Sequence, residues 1–503
     1  MKYVLAIDQG TTGTRAILLS EVCEIISASY LEQQQLYPRP GWVEQNPNEI
    51  WENTKTVIKN VLGFAQNNGI DFQAIKAIGI ANQGETVMLW DKKSGIPLYN
   101  AIVWQCRRTS AVVDELKKNS DLASLIKQKT GLIPDAYFSA TKIKWIIEKV
   151  PEVQQKIKER QALAGTMDSW LIWKLTGGRS FFTDPSTASR TMLFNIHSLA
   201  WDEELLKLFH IPDQLLAEIL PSSASFGVTK KELFGFEFPI CASVVDQQAA
   251  LFGQACFDEG MIKCTYGTGC FLLMNTGPSP VQTDNGLLTT IAWQIGRQTT
   301  YAIDGGVYIA GAAIQWLRDG LGIIQKVEAT EMMAKTVPDS GGVFFVPAFS
   351  GLAAPYWDPF ARGTIVGITG CTKKEHLVRA TLEAIAYQVK NVFDAMQSLL
   401  KKPIQLLRAD GGMTKNNFLM QFQSDILGIS LEIPQIAEST ALGAAFLAGL
   451  HAGVWSSLQE VQKLRKVKKI YQPTMAETLH ANLINDWNHA VTRARGWENR
   501  DKK

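Results

Sequence analysis

Two short apolar runs broken by a turn of small residues open the chain, and the same arrangement returns near its middle. Tyr3–Ile7 (YVLAI) runs into Asp8-Gln9-Gly10-Thr11-Thr12-Gly13-Thr14, and Arg15–Leu19 is apolar again. Met261–Tyr266 (MIKCTY) runs into Gly267-Thr268-Gly269, and Cys270–Met274 resumes the apolar pattern. Runs of this length, with a Gly/Thr turn between them, predict paired strands. Their repetition predicts two α/β halves, each opening with the same hairpin. The expected boundary lies near Gln254–Gly260, dividing the chain into 1–253 and 254–503.

Further elements fit around these hairpins. Ile75–Ile80, Thr86–Trp90, Ile240–Val245 and Ile404–Ala409 read as strands. Pro47–Leu62 reads as a helix, with Asn46 as N-cap and Pro47 at its first position. Thr141–Val150, Gln248–Ala255 and Asn416–Leu427 read as further helices. At roughly 150 residues per domain, 503 residues suggest about three domains, and two large ones fit equally.

Several function classes drop out. Lys and Arg number 50 against 48 Asp and Glu, a net charge of +2, so there is no electrostatic case for a nucleic-acid or membrane-surface partner. Seven cysteines, an odd count with no CxxC pair, argue against both a disulfide framework and a zinc site. The apolar run after Lys2 stops at Asp8, too short for a signal peptide. Ala441–Leu458 lacks charged residues, but its Ala/Gly composition and His451 predict a close-packed buried helix and no membrane span. The expected compartment is the cytoplasm. No Gly-Lys dipeptide exists, so a P-loop is excluded, and no Gly-x-Gly-x-x-Gly follows the first strand.

Three small-residue turns follow strands: Asp8–Arg15, Thr265–Gly269 and Asp410-Gly411-Gly412. Glycines let backbone N–H groups approach phosphate oxygens, Thr hydroxyls add donors, and Arg15 adds charge. Asp8 is placed to hold Mg²⁺ directly or through water. Plain hairpin turns would read the same way singly. Asp246 ends an apolar strand, where ligands gather in open α/β sheets. It suits a general base in phosphoryl transfer, and it equally suits an N-cap; both readings stand.

These residues belong to longer motifs that resemble the FGGY carbohydrate kinases, and within them the members that phosphorylate glycerol. The likeness runs from Tyr3 to about Trp455. It includes IDQGTTGTRA (Ile7–Ala16), YPRPGWVEQNPNEIW (Tyr37–Trp51), YNAIVWQCRRT (Tyr99–Thr109) and ASRTMLFNIH (Ala188–His197). It continues through DQQAALFGQ (Asp246–Gln254), TYGTGCFLLMNTG (Thr265–Gly277), APYWDPFARG (Ala354–Gly363) and NNFLMQFQSDILG (Asn416–Gly428). The resemblance implies two actin/hexokinase-type (ribonuclease H-like) domains flanking a central cleft. It implies ATP and Mg²⁺ as cofactors, glycerol as the small-molecule substrate, and a homo-oligomer, dimer or tetramer. By family position, Thr11, Thr12, Gly13, Arg15 and Thr268 lie on the phosphate side. Gly311, Gln315, Gly412 and Asn416 lie on the adenine and ribose side. Asp246 matches the general base. Glu85, Tyr137, Asp246 and Gln247 match polar substrate contacts, with Trp104 and Phe271 as the apolar wall.

Two departures stand out. The family motif Asn-Gln-Arg-Glu-Thr is here Asn82-Gln83-Gly84-Glu85-Thr86. A lost hydrogen bond from a charged donor is worth about 1.5–3 kcal/mol, so Gly84 predicts roughly 10- to 150-fold weaker substrate use unless another group substitutes. On this reading Gly84→Arg lowers the KM. The segment Thr229–Phe238 lacks the Gly-rich basic loop of some relatives, so inhibition by fructose bisphosphate is expected to be weak or absent. A kinase for another polyol or ketose, or a weakly active ATP-binding sensor, are the alternatives. Asp246 and the three turns weigh against the sensor.

Overall fold

A computed structural model describes residues 1–498. Its frame is one thirteen-stranded sheet made of two similar parts. In the N-terminal part, Tyr3–Gln9, Gly13–Ser20 and Ile25–Glu32 form an antiparallel meander. Ile75–Asn82 and Pro239–Val245 then add in parallel on the other side of Tyr3–Gln9. The C-terminal part repeats the plan. Ile262–Tyr266, Cys270–Gly277 and Gln298–Val307 form the meander, and Leu406–Asp410 and Ser430–Pro434 add in parallel beside Ile262–Tyr266. Both parts thus order their strands third, second, first, fourth, fifth. This is the ribonuclease H-like arrangement implied by the family resemblance. The two parts join through Ser223–Val228 and Leu288–Ile295, which pair in parallel at Ser223 and Ile295.

Local sequence accounts for most elements. The helix Pro47–Asn67 starts where Asn46 accepts a hydrogen bond from the Asn48 N–H at 3.0 Å. It buries Ile50, Val57, Ile58, Val61 and Leu62 on one face, against the first meander. The expected strand after Gly84 is present as Val87–Asp91, but outside the main sheet. It pairs with Ala162–Thr166 and Ala101–Ile102 in a separate four-stranded sheet. Sequence periodicity carries no information on which sheet a strand joins.

The Ala/Gly run forms a buried helix, Ser439–His451, shorter than expected. It stops before Gly453, which takes φ +66°, and a second helix follows at Leu458–Leu464. Although it lies late in the chain, Ser439–His451 packs across the N-terminal strands Tyr3–Gln9 and Ile75–Asn82 and against the helix Asp246–Gly253. The contact is backbone to backbone. A Cβ on Gly443 would sit 1.8 Å from the Ala249 carbonyl oxygen, and one on Gly253 would sit 2.0 Å from that of Ser439. Two helices crossing this closely form the junction between the halves. Among the described residues no helix is long and apolar enough to cross a membrane.

Candidate active site

Tyr3–Gln9, Ile75–Asn82 and Pro239–Val245 run parallel, so their carboxyl ends gather Asp8, the segment 82–85 and Asp246 at one edge of the sheet. Asp246 is the first residue of the helix Asp246–Gly253 and makes no side-chain cap to a later turn. Its Oδ1 accepts the N–H of the adjacent Gln247 at 2.7 Å. Of the two roles open for this residue, the side chain is therefore left free of helix capping. Burial, with the charges of Glu85 and Asp8 facing it, pushes its carboxyl up to about 7. Asp8 is likewise pushed up to about 6 by burial, partly opposed by Arg15. Burial also raises Glu85, against the pull of Arg190. Three carboxyls of raised pKa at one sheet edge mark a place where negative charge is held without full solvation.

Beside them stands an aromatic wall. Trp104 lies 5.2 Å from Tyr137 and 6.5 Å from Phe271, centroid to centroid, the latter edge-on. Phe271 comes from the C-terminal hairpin, so the wall spans the cleft. The Trp104 indole N–H donates to Thr11 Oγ1 at 2.9 Å, which ties this wall to the first turn. Gln247 accepts from the buried Lys263 ammonium at 2.5 Å; Lys263 also reaches Thr265 Oγ1 at 3.0 Å and the Phe271 carbonyl at 3.4 Å.

Gly84 has no room for a side chain. A Cβ there would meet Val245 Cγ2 at 2.2 Å and Arg190 Cγ at 3.4 Å. Val245 fills the space, and beside it runs Arg190, whose Nε donates to Glu85 Oε1 at 2.7 Å and whose Nη2 pairs with Asp304 at 2.9 Å. Burial works against the Arg190 charge, but Glu85 and Asp304 outweigh it and hold the guanidinium ionised. Sequence reasoning assigns no role to Arg190, Asp304, Lys142 or Lys263. The ASRTMLFNIH motif contains Arg190, but nothing local says which carboxylates it meets. Lys142 is buried under the site and donates to the backbone carbonyls of Glu85 (3.3 Å), Phe138 (3.2 Å) and Tyr137. Burial pushes its ammonium down to about 7. It braces two of the expected substrate contacts from below.

The three turns divide into two groups. In the first, Gly10 N–H closes on the Gly13 carbonyl at 3.0 Å, with Thr11 half-buried and Thr12 exposed. Gly13 is needed for packing, since a Cβ would lie 2.5 Å from the Leu31 carbonyl. Arg15, expected beside phosphate, is bound to Glu438 and lies 5.3 Å over the Tyr30 ring. The second and third turns meet. Thr268 presents an exposed side chain while its carbonyl accepts the Ala310 and Ala312 N–H groups, at 2.9 and 3.1 Å. That contact fixes the start of the helix Gly311–Asp319, which carries the exposed Gln315. Gly311 is forced by the second turn, because a Cβ would come 2.6 Å from the Gly267 carbonyl and 3.3 Å from Met413 Sδ of the third turn. Gly412 is exposed there. Asn416 is occupied: its Oδ1 caps Asn417–Leu427 through Leu419 N–H at 3.0 Å, and its Nδ2 donates to Thr330 at 3.2 Å. The arrangement therefore offers a small cavity lined by the rings of Tyr137 and Phe271 and by the charged Arg190 and Asp304, together with turns of small residues.

Residues 3–253 match the model of the FGGY family of carbohydrate kinases, N-terminal domain, and residues 262–452 match that of its C-terminal domain. Glycerol kinase 2 of Thermotoga maritima is 54% identical over 99% of this chain and 100% of its own. The glycerol kinase of Pseudothermotoga lettingae is 53% identical over 99% of each chain. Among solved structures, Plasmodium falciparum glycerol kinase with ADP superposes with a TM-score of 0.92 at 39% identity, covering 98% of both chains.

Proposed function

Because the chain belongs to the FGGY family of carbohydrate kinases, we propose that it transfers the γ-phosphoryl group of ATP to a terminal hydroxyl of glycerol. The products are glycerol 3-phosphate and ADP. The observation that carries this reading is Asp246: a half-buried carboxylate with a raised pKa, at the strand ends where Asp8 and Glu85 also gather. The full-length likeness to kinases named for glycerol supports the choice of substrate.

On this reading glycerol lies against Trp104 and Phe271, with its hydroxyls toward Glu85, Tyr137 and Gln247. Asp246 takes the proton of the terminal hydroxyl as that oxygen attacks the γ-phosphorus. The bond from γ-phosphorus to the bridging oxygen breaks, and ADP leaves. Thr11, Thr12, Thr268 and the backbone N–H groups of the turns face the phosphates, while Gly311, Gln315 and Gly412 border the nucleoside. Asn416 contributes there through the helix it caps, and Arg15 through its link to Glu438 across the halves. Closure of the halves keeps water, a competing acceptor, out of the site.

A magnesium ion fits at Asp8. Its carboxylate is half-buried, while the cation that faces it, Arg15, is bound to Glu438. Among the described residues no three acidic, His or Cys side chains cluster as a ready-made metal site, so the other ligands would be phosphate oxygens and water. Bound there, the ion supplies charge neutralisation on the transferring phosphoryl group. The reading further places the enzyme in the cytoplasm as a dimer or tetramer.

A polyol and ketose panel with coupled detection of ADP release tests the proposal. Glycerol-dependent ADP release is expected. Release only with another polyol or a ketose replaces glycerol as the substrate, and nucleotide binding without turnover on any member overturns the kinase reading. The packing at Gly84 also reverses the expectation drawn from its motif. Gly84→Arg must displace Val245 next to Asp246, so it is expected to raise the glycerol KM by roughly tenfold. A lower KM would restore the sequence-based account.

A further inference from the structure

We infer that Arg190 is a substrate-binding residue: its Nη1 donates to a hydroxyl oxygen of the polyol. The inference rests on the polyol-kinase reading above. Arg190 is 4% exposed and lines a cavity of about 30 Å³ together with Tyr137, Phe271 and Asp304. Two of its three nitrogens are held, Nε by Glu85 and Nη2 by Asp304. Nη1 is buried and has no hydrogen-bond partner among the described residues. A buried guanidinium N–H left unpaired is costly, and one that lines a cavity is free to donate to a molecule bound there. The ring of Phe138 lies 5.4 Å from the guanidinium and that of Tyr137 5.9 Å, so aromatic faces limit where else it can turn.

The neighbours make the chemistry specific. Glu85, an acceptor, and Arg190, a permanent donor, stand side by side through one hydrogen bond. A polyol hydroxyl both donates and accepts, so such a pair reads adjacent hydroxyls on a neutral substrate. Asp304 follows the second hairpin, whereas Glu85 and Arg190 belong to the N-terminal half. The Arg190–Asp304 pair therefore spans the cleft, and Asp304 acts as a positioning residue that aims the guanidinium.

Steady-state kinetics on glycerol, 1,2-propanediol and 1,3-propanediol test this, comparing the wild type with Arg190→Gln, Arg190→Lys and Asp304→Asn. Arg190→Gln is expected to raise the glycerol KM roughly 10- to 150-fold with the ATP KM unchanged. The wild type should lose activity when one particular hydroxyl is deleted, and Arg190→Gln should lose much less from the same deletion. A folded Arg190→Gln with the wild-type hydroxyl penalty overturns the inference. Should both Arg190 variants fail to fold, Asp304→Asn decides: a raised glycerol KM supports the inference, and an unchanged one overturns it. If the wild type turns over another polyol and not glycerol, the substrate reading falls, and the same comparison on that polyol and its deoxy analogues still decides the role of Arg190.

Discussion

Asp246→Asn should lower glycerol-dependent turnover by roughly 10²–10⁴-fold, the range a positioned general base contributes. ADP binding should persist, because the second and third turns are untouched. The pH dependence follows from the same carboxyl. A base works only when ionised, and burial holds Asp246 protonated up to about 7. kcat/KM for glycerol in the wild type should therefore fall as pH drops through about 7. A profile flat to pH 5 would remove Asp246 from the proton-transfer step. Stability should move the other way. The unfolded chain releases this proton near 3.8, whereas the folded chain keeps it to about 7. Between those values the native state binds more protons, so this group makes the protein less stable as pH rises. Asparagine never ionises. The Asp246→Asn melting temperature should exceed that of the wild type at pH 8, and the difference should shrink toward pH 5. Lower stability at pH 8 would show that the carboxylate has partners that compensate its burial.

Gly443→Ala is expected to damage both stability and catalysis. The added methyl would lie 1.8 Å from the Ala249 carbonyl oxygen and 2.6 Å from its carbon, and real Cβ atoms essentially never approach closer than 3.0 Å. Both partners are backbone, so the two helices must separate. Overpacking of this kind costs about 1–3 kcal/mol, and the melting temperature should fall by several degrees. Asp246 begins the very helix that is pushed. A displacement of about 1 Å at a reacting group can cost on the order of 10²-fold, so kcat should fall with little change in nucleotide affinity. Gly63→Ala is the matched control. Nothing lies within 4 Å of its Cβ position in the helix Pro47–Asn67, so it should stabilise by about 0.5–1 kcal/mol and leave kinetics alone. Wild-type melting and kcat in Gly443→Ala would show that the helix crossing is not a rigid junction.

Much of the frame was legible because it is local. Apolar runs ending in Gly/Thr turns specify hairpins, and Asn46 before Pro47 specifies a helix start. The hairpins at Tyr3–Ser20 and Ile262–Gly277 follow from such patterns, as does the helix from Ser439. Less local features were not legible. The strand after Gly84 joins a side sheet, and Asn416 turns out to cap a helix with the side chain expected near the nucleotide. Arg15 meets Glu438, a residue far away in the chain that no spacing rule connects to it.

Position 84 shows the division most clearly. From the sequence alone Gly84 is a missing donor, because a motif names residue types in order and not what surrounds them. In the folded chain Val245 fills that space, and Arg190 runs beside it to pair with Glu85 and Asp304. The sequence by itself determined the two repeated hairpins, the small-residue turns and the carboxylates at strand ends, since each depends on neighbours within a few residues. Only the tertiary structure decided which charges face one another across the cleft and where two helices touch backbone to backbone. Burial and long-range packing set those, and they exist only once the halves have closed on each other.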